Sequence, residues 1–202
     1  MIDDIMLIFD KNFGRLNNLL DLYTTIKTGK KGRKTIHALD LLRATTVLMH
    51  STLEDYLRSL LLWKLPYSTK DKINRVPLFG TSETGRSTKF ELADLVIHKG
   101  RTIDEIIDLS IKEYLGKVSF NDAADIAIHL STISINITDE MRKLFPTLNG
   151  MIKRRHDIVH KADREDIAGK GHHGIKSISF LQVQKWKVTI DKFVLEMNKN
   201  FY

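Results

Sequence analysis

At 202 residues, 42% of them apolar, the chain is long enough for one well-packed domain and short for two. It contains no cysteine, which excludes a disulfide framework, a thiolate metal site and a cysteine nucleophile, and suits a reducing compartment. The 32 Lys and Arg against 25 Asp and Glu leave a formal charge of +7, a field that concentrates polyanions such as RNA or DNA without selecting one.

The first segment, MIDDIMLIFDKNF, carries acids where a signal peptide needs positive charge. No stretch reaches the ~18 apolar residues of a membrane span, since even LRSLLLWKL contains Arg58 and Lys64. A cytoplasmic protein with no membrane partner is expected. Ile2, Ile5, Phe9, Phe13, Leu16, Leu20 and Tyr23 recur at three or four, which predicts a helix from Asp3 to about Ile26 with one buried stripe. The basic, glycine-containing TGKKGRKT, 28–35, reads as a loop. A second helix is expected over His37–Leu65, ending where Pro66 forbids more. Residues 67–90 are irregular, with Pro77, Gly80 and Gly85 among Ser, Thr and Lys. Short helices follow at about 91–98, 102–115 and 122–134. Capping-box spacing announces two of them, Thr102 with Glu105 and Ser119 with Asp122. Phe145-Pro146 reads as the opening of the next helix, and the loop GKGHHG, Gly169–Gly174, as its separator from the last one. That last helix, about 179–199, is capped by Ser179 and Gln182, with Val183, Trp186, Ile190, Phe193, Val194 and Met197 on one face. The fold class expected is all-α: a single domain, 1–202, built as an antiparallel helical bundle with an inserted middle section of short helices.

The helix after Pro146 carries RRHDIVHKAD, Arg154–Asp163. At about 100° per residue, Leu148, Met151, Ile152, Ile158, Val159 and Ala162 fall within about 60° of one direction, and Arg155 lies at the centre of that arc. A guanidinium on an apolar stripe is costly unless it is hydrogen-bonded or reaches a wet cavity or interface. His156 and His160, one turn apart, lie at about 100° and 140° from Arg155, just past the edge of the arc. Phosphoryl chemistry uses this pairing, because guanidinium binds phosphate oxygens bidentately and imidazole transfers protons near neutral pH. The competing account is an ordinary solvated face of Lys153, Arg154, His156, Asp157, His160, Lys161 and Asp163, with Asp157 and Lys161 as a weak i,i+4 ion pair. A zinc site built from His156, His160 and His172 or His173 has the spacing but lacks the glutamate of H-E-x-x-H. On the second helix His50 and Glu54, four apart, could share a face on which a carboxylate can fix a histidine tautomer; Glu54, Asp55 and Arg58 read more readily as solvated charge.

Arg155-His156-Asp157-Ile158-Val159-His160 matches the R-x4-H signature, with a polar residue straight after the arginine, of HEPN domains. RRHDIVHKAD resembles in particular the branch called RiboL-PSP-HEPN. LLRATTVLMHSTLEDYLRSLL resembles the family's early helix and KGRTIDEIIDLSIKEYLGKVSFNDAADI its middle section, so the likeness covers roughly residues 35 to 200. The resemblance implies a homodimer in which two R-x4-H helices face each other and form a metal-independent endoribonuclease site with no cofactor. Arg155 would hold the scissile phosphate and stabilise its transition-state charge. His160 would act as acid or base at the ribose 2′-OH and the leaving oxygen, giving a 2′,3′-cyclic phosphate. His156, Asp157, His50 and Glu54 are supporting residues. RNA is then the substrate and DNA is not, because DNA lacks the nucleophile. Family habit adds a toxin or defence role, with an antitoxin or regulatory protein as a further partner. The alternative is a non-catalytic HEPN module that binds nucleotide, RNA or a protein.

Overall fold

The structure, a computed structural model, describes residues 1–27, 36–81, 92–165 and 174–201. Seven α-helices occur among them: α1 (Ile2–Lys27), α2 (Ile36–Lys64), α3 (Lys70–Ile73), α4 (Ile103–Lys117), α5 (Ala123–Thr132), α6 (Asp139–Lys161) and α7 (Phe180–Asn198). Two 3-10 segments, Leu65–Tyr67 and Leu92–His98, lie between α2 and α4. The described residues contain no strand, only an isolated antiparallel bridge between Arg164 and Ile175. The protein is all-α, as its sequence implies.

The contacts sort into two compact units. One gathers the described residues of 57–120 and 124–137, the other those of 2–56, 121–123 and 138–201. The first is the middle section of short helices. In it Ser110 ties the 76–81 turn to α4, its hydroxyl accepting from the Phe79 N–H at 2.9 Å and donating to the Ile106 carbonyl at 2.7 Å. Ser68 donates to the Thr132 carbonyl at 2.9 Å. Arg58, one of the charges expected to be solvated, donates to the Val118 carbonyl at 2.7 Å and lies over the Phe120 ring. The Thr102–Glu105 capping box forms at α4 in both directions. The next helix, α5, begins at Ala123, one residue after Asp122.

The second unit holds the motif helix. Ile5, Phe9, Leu16, Leu20 and Tyr23 bury the stripe of α1, and all six apolar positions expected on the core face of α7 are buried. Each fully buried aliphatic or aromatic side chain contributes about 1.5–3 kcal/mol relative to exposure. Two polar side chains of this core are tied down: the Tyr56 hydroxyl donates to Asn198 Oδ1 at 2.6 Å, and Thr46 returns its hydroxyl to the Leu42 carbonyl at 2.8 Å. The Ser179 hydroxyl caps α7 by accepting from the Gln182 N–H at 3.2 Å.

α6 starts earlier than expected. Thr138 is its N-cap, accepting from the Met141 N–H, and Asp139 and Glu140 place acids in the first turn where the helix dipole favours them. Pro146 therefore sits inside the helix rather than at its opening. It withholds one i→i−4 bond, but the carbonyl it orphans belongs to exposed Arg142, where water can replace the donor.

Candidate active site

The buried stripe of α6 runs through Met141, Leu148, Met151 and Ile152 and then surfaces. Ile158 is half-buried, and Val159, expected on the apolar arc, is 48% exposed. Arg155 stands at that transition, itself half-buried. Its Nε is buried without a hydrogen-bond partner, and among the described residues the side chain makes no hydrogen bond or ion pair. One residue on, His156 and His160 are both exposed, their rings 4.6 Å apart between centroids and tilted by 45°. Adjacent positions thus present a fixed cation and two titratable rings. A bidentate donor beside a proton carrier is a set of groups suited to a phosphodiester.

The other half of the motif is not a solvated face. Asp157 is buried, and its carboxylate accepts from Lys176 Nζ at 2.7 Å as well as pairing with Lys161 at 3.4 Å. The Lys176 hydrogen bond, reinforced by Lys161, holds this carboxyl below the usual carboxylate range. α6 ends at Lys161, so Ala162 leaves the helical arc and is exposed, and it and Asp163 adopt left-handed backbone at φ 50° and 57°. Both their N–H groups donate to the Asp157 carbonyl. The turn carries Asp163 inward, where it is fully buried and its Oδ2 receives Arg43 Nε at 2.7 Å and Arg154 Nη2 at 2.8 Å. The same two arginines donate to the Lys176 carbonyl, and Arg154 also to that of Ser177. Lys176 closes the arrangement by donating its N–H to the Asp163 carbonyl at 2.8 Å. Arg154, Asp157 and Asp163, which the competing account puts in solvent, therefore form the clamp that fixes the end of the motif helix. Arg43 and Lys176 belong to it without any local sequence signal, being 120 and 13 residues from Asp163.

On α2 His50 and Glu54 share a face. His50 is 4% exposed, with Nδ1 3.5 Å from Glu54 Oε2. The six candidates thus resolve into the His50–Glu54 pair, the His156–His160 pair preceded by Arg155, and Asp157 turned to its lysines. His172 and His173 of the zinc alternative, the GKGHHG loop up to its last glycine and the basic 28–35 loop lie outside the described residues. Among the described residues no three His, Asp or Glu side chains gather as a metal shell.

The family model described as RiboL-PSP-HEPN matches residues 10–201. The chain belongs to the RiboL-PSP-HEPN family. The match takes in most of α1 as well as the segments whose likeness is visible by eye, so the first helix is part of the HEPN domain. No curated protein and no solved structure gives a significant match. No helix among the described residues is long and apolar enough to cross a membrane.

Proposed function

We propose that this HEPN protein is a metal-independent endoribonuclease that acts as a homodimer, its site completed where the Arg155–His160 segments of two chains meet. The observation that carries this reading is Arg155 itself: a half-buried guanidinium with no partner among the described residues, directly before two exposed histidines. A scissile phosphate would supply the missing acceptor. In the proposed reaction Arg155 binds the non-bridging oxygens and neutralises the charge that grows on them. His160 removes the proton from the ribose 2′-OH, whose oxygen attacks phosphorus. The bond to the 5′-oxygen breaks, and a second imidazole, from His156 or the partner's copy of the motif, protonates the leaving oxygen. The products are a 2′,3′-cyclic phosphate and a 5′-hydroxyl. Asp157 supports the site through the helix end that it anchors, and Glu54 through the orientation of His50. A toxin or defence role, with RNA as target and an antitoxin or regulator as partner, belongs to the same proposal.

The test is cleavage of a mixed RNA pool with analysis of product ends, in the presence and absence of EDTA. Cleavage is expected to survive chelation and to leave cyclic phosphate. His160→Ala should keep the fold, because His160 is exposed, and lower the rate by about 10² or more, the scale for losing a positioned proton-transfer group. Arg155→Ala should be comparably damaging, and His156→Ala milder. Unchanged cleavage by a folded His160→Ala protein would remove this site. Absence of cleavage by the wild type, with RNA or nucleotide still bound, would make the non-catalytic module the better reading.

A further inference from the structure

α7 is apolar on two opposite faces. At about 100° per residue, Leu181, Val188 and Leu195 fall within about 20° of a single direction, roughly opposite Trp186, Ile190 and Met197, which point into the core. The three outward side chains are 77%, 50% and 52% exposed. Scattered exposed leucines are ordinary on a protein surface, but three aliphatics repeating at seven lay a narrow apolar seam along one side of the helix, one of the two positions per heptad by which helices pair. The seam is about 21 Å long, a helix-sized contact. Lys185 and Lys192, also seven apart and exposed, run beside it at about 40–60°. Next to the seam opens a groove of about 680 Å³, into which Leu20, Leu144 and Phe180 contribute further apolar surface and Lys187 a third cation, against a single acid, Asp21.

We infer that α7 is a docking surface for an acidic amphipathic helix of a partner protein. Its apolar residues, spaced by seven, pack on Leu181, Val188 and Leu195, and its acids face Lys185 and Lys192. The aliphatic seam distinguishes this occupant from a nucleic acid, which would use the lysines and leave the leucines uncovered. Charge distinguishes it from a second copy: antiparallel pairing of two α7 helices through this seam would set each lysine row against its own counterpart. The inference does not depend on RNA cleavage.

Fluorescence anisotropy with two labelled peptides tests it. One is a three-heptad helix with leucine at each seam position and glutamate on the flank that faces Lys185 and Lys192; its twin has lysine on that flank. The glutamate peptide is expected to bind the wild-type protein and the lysine peptide not to bind. Val188→Asp should weaken binding at least about tenfold, as removal of a central anchor does. Reversing Lys185 and Lys192 together to glutamate should switch preference to the lysine peptide. All the substituted positions are exposed, so circular dichroism is expected to show an unchanged helical spectrum for each variant. Equal binding of both peptides, or no binding of either at about 100 μM, would overturn the inference. So would light scattering that shows Val188→Asp turning a dimer into a monomer, since a second copy would then be the occupant.

Discussion

Ala162 closes α6 in the left-handed region, where an L side chain costs about 1–2 kcal/mol and glycine does not. Ala162→Gly should therefore stabilise the protein by about 0.5–1 kcal/mol, once the greater freedom of glycine in the unfolded chain is subtracted. A denaturant midpoint shifted upward at constant slope is the expected readout. Asp157 carries a different dependence. Its carboxyl is held below the usual range by Lys176 and then Lys161, so the stability it contributes is fully present above the unfolded-chain value. That stability is lost as pH falls through the lower folded value. The deficit of Asp157→Asn should accordingly be constant from neutrality down to the ordinary carboxylate range and shrink in more acidic solution. Paired unfolding curves at several pH values would measure it, and a deficit that grows on acidification would contradict this assignment.

The end of α6 is held by buried charge more than by helix propensity. Asp163 is the centre of its clamp, and removing one partner of a buried ion pair costs about 3–5 kcal/mol because the others are left unmatched. Asp163→Ala, which strands Arg43 and Arg154 together, should lose stability on that scale and loosen the turn beyond Lys161. If the proposed cleavage holds, its rate should then fall with the thermal midpoint, whereas His160→Ala should lower the rate alone. Little of this clamp is legible in the sequence. The stripes of α1 and α7 are, because Ile5 to Tyr23 and Val183 to Met197 repeat at helical spacing and the core takes them as written. Arg154 and Asp163 look like solvated charge because their partner Arg43 comes from α2, and no window along the chain brings these residues together. Pro146 misleads for the opposite reason: a strong local stop signal is outweighed by the Thr138 cap and the buried side chains on either side of it. The placement of Arg155, His156 and His160 along one helix is legible in their spacing, although the exposure of Val159, which leaves Arg155 at the surfacing edge of the stripe, is visible only in three dimensions.

At the scale of the whole molecule, the proposed site requires two chains. Light scattering at tens of micromolar, a rough concentration well above most specific dissociation constants, should give a dimer, and a strict monomer would count against the composite site. The length of the chain predicts one cooperative domain, while its contacts gather in two units. The protein has two tryptophans, Trp63 in one unit and Trp186 in the other. Trp186 is 4% exposed and packs where Gly150 leaves room on α6, 3.8 Å from the place a methyl group would take. Each unit thus carries its own fluorophore. Replacing either indole by phenylalanine leaves an optical reporter for one half of the chain, and Trp186 watches the helix that bears Arg155. If the halves melt together, the emission shifts of the two single-tryptophan proteins will superimpose along a urea gradient once each is normalised to its own folded and unfolded baselines. Separated curves would mean that the motif helix can lose its packing while the middle section stays folded.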